Sequence, residues 1–367
     1  MNLKRIAVTA ACTSALLSSL LAPAAVAQGQ NEANPGVAVD TDTPSAREVA
    51  EFWTPERTRE ALAHPEPLLK ADPKRGLDRK PSSGRLAKPV SVDAARPTSD
   101  SPAARTATLQ TAGTEAAVAQ EIAVAQEVPY STSIPNVVVG KLLYQKPNGD
   151  TGHCTASVIV SDTKNTVWTA GHCVHTGSGG AAGWFSNIRF IPGYKDGQQP
   201  WGEWVEDRKY APSSYTEGGD QLESDLAAVV LQPLAGYGNL QDNIGGLGYR
   251  FGGETDYADA FTVGYPGEGY NRTDMTGERM MYCRGNTEDL WWWVPTDDRV
   301  KMDCDMGKGA SGGPMFIGAF NYNPQIIGAN SHYQEDATTG KRVNDDLISS
   351  LHDLNAANVI NAVNDSA

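Results

Sequence analysis

From Val137 onward the chain is a succession of short apolar or alternating runs: NVVVGKLLYQ, TASVIVS, NTVWTA, IRFIPGY, DLAAVVLQ and PQIIGANSHY, each bounded by Gly, Pro, Asn or Asp. Runs of this length with β-branched and aromatic residues read as strands. Many of them in series predict an all-β sandwich or barrel, and the dense glycine supplies the turns and bulges such a fold needs. Only the end departs from this texture. NDDLISSLHDLNAANVINAV puts Leu347, Leu351, Leu354, Val359 and Val363 near helical spacing, which predicts a C-terminal helix laying an apolar stripe on the β-structure.

The first third is different in kind. Lys4 and Arg5, an apolar stretch from Ile6 to Leu21 and the small-residue pattern Ala25-Val26-Ala27 read as a secretory signal peptide over residues 1–27. The apolar stretch is short for a membrane span of about 20 residues. Residues 28–127 are rich in Ala, Pro, Thr, Gln, Lys and Arg and nearly lack aromatics, a composition that buries too little apolar surface to offset its ordering entropy. One island, EFWTPERTREALAHPEPLL, has Thr54 as a helix N-cap, Pro55 at the first helical position and Phe52, Trp53, Leu62 and Leu68 to dock on a partner surface. The expectation is a largely disordered propeptide with one docking element, cut between about residues 120 and 136, ahead of a domain over 128–367.

Export sets the chemistry of the cysteines. Cys12 leaves with the signal peptide, and Cys154, Cys173, Cys283 and Cys304 remain in an oxidising compartment. Four cysteines allow three pairings; the local one, Cys154–Cys173 with Cys283–Cys304, closes two short loops. From residue 128 onward there are 29 acidic against 16 basic side chains. Such a surface repels phosphate backbones and anionic membranes, so neither nucleic acid nor a membrane is expected as a partner.

Two Gly-His-Cys triplets, TGHCTAS and TAGHCVH, raise the question of a metal. Tetrahedral zinc wants four converging ligands, but adjacent residues of an extended chain point to opposite faces. No metal and no cofactor are expected. GKGASGGPMF instead carries Ser311 on a glycine-rich turn, where backbone N–H groups of Gly309 and Ser311 can converge on one spot and Gly312 and Gly313 leave room for a carbonyl. VWTAGHC sets His172 just past an apolar strand, and SDLAAVVL sets Asp225 at the head of another. A nucleophile, a base and an acid to orient the base then follow in the chain order His, Asp, Ser. Asp220, in the polar loop EGGDQ, is the rival for the acid.

TAGHC, DLAAVVL and GASGGP together resemble the three active-site segments of the chymotrypsin-like serine proteases, nearest to the secreted bacterial branch that includes glutamyl endopeptidases. The resemblance spans about residue 130 to the C-terminal helix. It implies two six-stranded antiparallel β-barrels with a cleft between them, the Cys154–Cys173 bridge, catalytic His172, Asp225 and Ser311, an oxyanion hole at Gly309 and Ser311, and His153 as a bystander. It further implies an extracellular monomeric endopeptidase acting on a peptide or protein substrate, with its own propeptide as the other partner.

Departures bear on activation and specificity. Ala310 stands where animal trypsin-like enzymes carry the Asp that binds a new N-terminus, so activation is expected to proceed by propeptide removal. Asp305, six residues before Ser311, stands where an acid binds basic side chains in trypsin-like enzymes. GANSHY resembles the strand that lines the specificity pocket, with Asn330, Ser331 and His332 as candidates, Asn330 where glutamyl enzymes show a histidine. LWWWVP puts three tryptophans inside the proposed Cys283–Cys304 loop, where one can line the cleft. The competing readings are a catalytically inactive protease-like binding module and a serine esterase. The latter more often shows a GxSxG elbow between a strand and a helix, in the order Ser, Asp, His; here GASGG leads into a strand at Pro314 and the order is His, Asp, Ser.

Overall fold

The computed structural model describes residues 36–71, 84–98, 121–129, 136–290 and 298–367. The expected signal peptide and the tryptophans of LWWWVP lie outside them. Among the described residues, four strands fall in the N-terminal region: β1 (Val37–Asp40), β2 (Leu69–Ala71), β3 (Val90–Val92) and β4 (Ile122–Glu127). Six more form the first barrel: β5 (Val139–Gln145), β6 (Thr151–Val158), β7 (Thr166–Thr169), β8 (Ser186–Pro192), β9 (Trp204–Pro212) and β10 (Ala227–Leu231). Their order is β9-β10-β7-β6-β5-β8, and β8 pairs back to β9. The barrel is therefore closed where β8 meets Trp204 and Val205, while Lys209–Pro212 of β9 run beyond that pairing and keep an open edge. Closure demands close approach: a Cβ on Gly140 would lie 2.4 Å from the Ile191 carbonyl oxygen, so β5 and β8 can meet there only through glycine.

The second unit holds β11 (Gly248–Phe251), β12 (Ala260–Gly264), β13 (Met281–Gly285), β14 (Glu288–Asp289), β15 (Val300–Asp303), β16 (Pro314–Ile317), β17 (Gln325–Gln334) and β18 (Asp346–Ser349). Ladders run β13-β12-β16-β17-β18-β15. No ladder joins β13 to β15 among the described residues. A disulfide between Cys283 on β13 and Cys304 just past β15 bridges that gap. The architecture is a closed six-stranded barrel beside a half-barrel, the chymotrypsin-like two-barrel fold.

The expected C-terminal helix forms over Leu354–Asn364 and buries Val359 and Val363. Leu347 and Leu351 are not part of it. Asp346–Ser349 is instead strand β18, paired with β15 and β17: the β-branched Ile348 suits a ladder, and two strand edges were waiting for it. No helix of the described residues is long and apolar enough to cross a membrane.

The N-terminal region is seated far more fully than its composition suggests. Helix α1 (Ala46–Phe52) is opened by a Ser45–Glu48 capping box, and α2 (Pro55–Ala63) by the Thr54 side chain with Pro55 at its first position. Trp53 is buried and donates through Nε1 to the Asn187 carbonyl at 2.7 Å, and Leu68 is buried. Beyond this island, β1 adds to β9, β3 to β11 and β4 to β13, all antiparallel, while β2 adds to β17 in parallel. The physical reason is that a free strand edge supplies backbone partners whatever the side chains of the incoming segment. A segment too polar for a core of its own can thus order on someone else's.

Two histidines tie elements together as neutral rings. His352 accepts from Trp168 Nε1 at 2.8 Å and uses Nδ1 toward the Ser350 carbonyl at 3.0 Å. Burial pushes its pKa down to about 4, and burial likewise pushes that of His153 to about 3. Unfolding lets both rings take up protons that the folded chain refuses. Their contribution is whole above the unfolded value near 6.5 and declines as pH falls toward the folded values. Each is expected to remove about 1.4 kcal/mol of stability per pH unit in that window. Asp303, its pKa raised to about 6, acts in the opposite direction over the same window, so the test is a comparison: between pH 6.5 and 5 the melting temperature of His352→Gln should fall less, or rise more, than that of the wild type. The same pH slope in both proteins would contradict this account.

Candidate active site

Each of the expected residues is held by its own local device. His172 sits in the 3-10 turn Gly171–Cys173 that follows β7, and Cys173 is bonded to Cys154 on β6 with S–S 2.03 Å. Asp225 leads into β10 and is fully buried. Its Oδ1 accepts from the His172 backbone N–H at 2.7 Å, its Oδ2 pairs with His172 Nδ1 at 2.7 Å, and Ser331 Oγ donates to the same Oδ2 at 2.7 Å. Burial pushes the His172 pKa down, but the charge and hydrogen bond of Asp225 outweigh it and leave the ring above its ordinary value. With Nδ1–H donating to Asp225, Nε2 is the nitrogen left for chemistry; it is buried and makes no hydrogen bond to a described residue. Asp220 caps its own loop by accepting from the N–H groups of Leu222 and Glu223, and does not serve His172.

Ser311 lies in the turn between β15 and β16, flanked by Gly309 at φ +86° and Gly312 at φ +77°. A Cβ on Gly309 would come within 2.5 Å of the Tyr265 carbonyl oxygen, and one on Gly312 within 2.0 Å of Thr169 Oγ1. Both strain and space thus require glycine. The turn is lashed to both barrels. Thr155 on β6 bonds the Ser311 and Gly309 carbonyls, each at 2.8 Å. Asn330 on β17 exchanges backbone bonds with Gly312 and Gly313 and donates to the Ala310 carbonyl at 3.1 Å. Its Oδ1 accepts from Thr262 at 2.7 Å. Asn330, expected as a pocket wall, therefore holds the serine turn in shape.

The Ser311 hydroxyl makes no hydrogen bond to His172. It donates to the Glu66 backbone carbonyl at 3.3 Å, and the Gly309 N–H donates to the same oxygen at 2.8 Å. A carbonyl oxygen already occupies the place where Gly309 and Ser311 converge.

The remaining candidates divide. Asp305 is nearly buried; its Oδ2 faces Arg272 Nη1 at 3.1 Å and its Oδ1 accepts the Ala125 N–H at 2.8 Å. Its charge is thus already matched. His332 is buried on β17, with Nδ1 2.9 Å from Ser331 Oγ and Nε2 3.1 Å from Arg299 Nη1. Arg299 as donor makes Nε2 the acceptor and Nδ1 the protonated nitrogen, so a chain runs Arg299–His332–Ser331–Asp225–His172. Neither Arg299 nor Glu66 stands out in the sequence, because each acts through a contact distant along the chain. His153 keeps to a structural role, with Nδ1 3.0 Å from the Ala61 carbonyl. Among the described residues, one group has ligand atoms close enough for a metal, Cys154, His172 and Cys173. Its two sulfurs are bonded to each other and offer no thiolate.

No family model matches the chain. A 121-residue stretch is 31% identical to a protein called an extracellular metalloprotease from Bacillus subtilis (strain 168), covering 33% of this chain and 35% of that protein. The match thus spans about a third of the relative's length. Among solved structures, the chain is similar to the protease Anisep from Arthrobacter nicotinovorans, with TM-score 0.55 and 24% identity, over 66% of this chain and 99% of the other. It is also similar to a thermostable serine protease, AL20, from an extremophilic microorganism, with TM-score 0.53 and 23% identity over 63% and 98%. A Glu endopeptidase in complex with MPD follows at TM-score 0.50 and 19% identity over 67% and 98%. At these identities the likeness establishes the fold they share with this chain.

Proposed function

We propose that the chain is the precursor of a secreted serine endopeptidase. Ser311 attacks a peptide carbonyl as His172 Nε2 takes its proton, Asp225 orients the ring and stabilises its cation, and the N–H groups of Gly309 and Ser311 receive the oxyanion. His172 then returns the proton to the leaving amine, and water hydrolyses the acyl-enzyme. The observation that carries this reading is the Asp225 carboxylate, which binds both the backbone and the Nδ1 of His172 at 2.7 Å and so fixes the tautomer a general base requires. The solved structures support it: they are called proteases, and each aligns over nearly its whole length with about two thirds of this chain. Residues 128–367 are about the same share, which favours residues 28–127 as the propeptide. Asp305 is matched by Arg272, so the proposal includes no preference for basic side chains.

The name of the Bacillus subtilis relative points to metal-dependent hydrolysis. The disulfide between Cys154 and Cys173 disfavours that reading here, because oxidised sulfurs are not ligands. A fluorophosphonate applied to the protein after removal of residues 1–127 separates the cases. The expected result is one adduct, on Ser311, with loss of peptidase activity and no effect of a chelator. Peptidase activity that survives the reagent and is lost to the chelator would overturn the proposal. Failure to label or to cleave any peptide would favour the inactive binding module.

A further inference from the structure

The segment His64–Ala71, HPEPLLKA, lies through the cleft, and its polarity and anchoring give it a role. It enters on the first barrel, where the His153 N–H donates to the His64 carbonyl at 3.1 Å and the Glu66 N–H donates to the His153 carbonyl at 2.9 Å. Glu66 then places its carbonyl oxygen against Gly309 N–H and Ser311 Oγ. Leu68 is buried and belongs to the apolar cluster of the half-barrel that includes Met306 and Ala310. The segment leaves as β2, parallel to His332–Gln334 of β17. The Glu66 side chain is gripped as well: Lys146 Nζ pairs with Oε1 at 2.8 Å, and the buried Tyr144 hydroxyl donates to Oε2.

Resting on the protease reading above, we infer that Tyr144 and Lys146 form an acid-binding subsite beside the oxyanion donors, which takes an acidic peptide laid backwards through the cleft as an inhibitor. His64–Ala71 is the occupant this chain supplies. The direction follows from where the base lies. His172 belongs to the first barrel, next to Cys173 and its bridge to β6. A leaving amine must collect its proton from His172, so the part of a substrate that follows the attacked carbonyl has to run toward the first barrel. Here the part that follows Glu66 runs the other way, to β17. Attack on the Glu66 carbon would break its bond to the Pro67 nitrogen on the side away from the base, and that nitrogen would depart unprotonated. The tetrahedral adduct therefore collapses back to the intact peptide. The carbonyl also draws off the Ser311 hydroxyl, and His172 Nε2 makes no hydrogen bond to a described residue. Inhibition of this kind needs no distortion of His172 or Asp225.

Two arms test it. In the full chain, Ser311 should react with a fluorophosphonate at least about 10-fold more slowly than in protein lacking residues 1–127, and Glu66→Gln in the full chain should recover about 10-fold in rate by weakening a charge-assisted grip. In the second arm, synthetic HPEPLLKA is added to the processed enzyme. It should inhibit competitively and be recovered uncut, and the same peptide with Glu66→Gln should inhibit about 10-fold less well. The second arm does not depend on how a full-chain variant folds. Equal labelling of full and processed chains, or cleavage of the peptide between Glu66 and Pro67, would overturn the inference while leaving the protease reading intact. No labelling of Ser311 in the processed protein would bring down the protease reading itself.

Discussion

Replacing Ser311 by alanine is expected to lower turnover of a peptide substrate on the order of 10⁶-fold in the processed protein. His172→Ala should cost about as much, and the double variant no more than either alone. The three side chains act as a unit: without the hydroxyl there is nothing for the imidazole to deprotonate, and without the imidazole the hydroxyl is a poor nucleophile. What survives is the part that needs neither group, namely the Gly309 N–H and substrate binding, worth roughly 10³–10⁴ over water. The fold should be indifferent to the serine change. The Ser311 hydroxyl makes one described bond, to Glu66, while the Thr155–Ser311 backbone bond that braces the turn is retained. Rates from a quenched peptide library, with melting temperatures measured alongside, check both halves. Full activity in Ser311→Ala would end the serine mechanism, and additive losses in the double variant would mean that the two residues do not cooperate.

The parts of this site that were legible from sequence are those a short motif can encode. GASGGP carries its geometry in its glycines, since Gly309 and Gly312 take positive φ at points where no Cβ fits. TAGHC carries it in the cysteine that pins the turn, and DLAAVVL in the buried strand that follows the acid. Asn330 was legible only as a position. Its contacts to Thr262, Ala310, Gly312 and Gly313 join two strands and a turn, and no local pattern announces that a side chain will brace the serine loop. The partner of Asp305 was illegible for the same reason, since Arg272 lies 33 residues away.

The N-terminal region shows a different limit. Composition measures whether a segment can build its own core, and residues 28–127 cannot. It does not measure whether the segment fits an edge already built. β1, β3 and β4 are short strands whose order comes from β9, β11 and β13, so the sequence of the guest says little without that of the host. The Thr54–Pro55 helix start was readable because capping is local. The stretch after it, where Pro65 and Pro67 bracket Glu66, was not. The C-terminal stretch failed halfway for a related reason: leucine spacing alone cannot distinguish a helix from a strand and a helix in series, and the ladders on β15 and β17 decide it.

Asp225→Asn is expected to lower turnover about 10⁴-fold while leaving the protein folded. Asp225 accepts three hydrogen bonds, from the His172 N–H and Ser331 Oγ and at His172 Nδ1. Asparagine has one oxygen where the carboxylate has two, so one of its faces must become a donor. If the amide nitrogen faced the His172 N–H, two donors would meet in a buried site, at a cost of about 1–3 kcal/mol for the unmade bond. Turning the nitrogen toward Nδ1 avoids that clash. Ser331 can adapt, because its hydroxyl can accept from the amide. The imidazole adapts only by moving its proton to Nε2, the nitrogen that must receive the proton of Ser311. The variant therefore keeps its hydrogen bonds and loses its base. The charge that raises the His172 pKa is lost as well, so the ring's pKa should fall below its wild-type value, which proton NMR of the imidazole can follow. A loss of turnover below tenfold would mean that Asp225 does not set the tautomer. A large loss with unfolding would mean that its three bonds serve stability before chemistry.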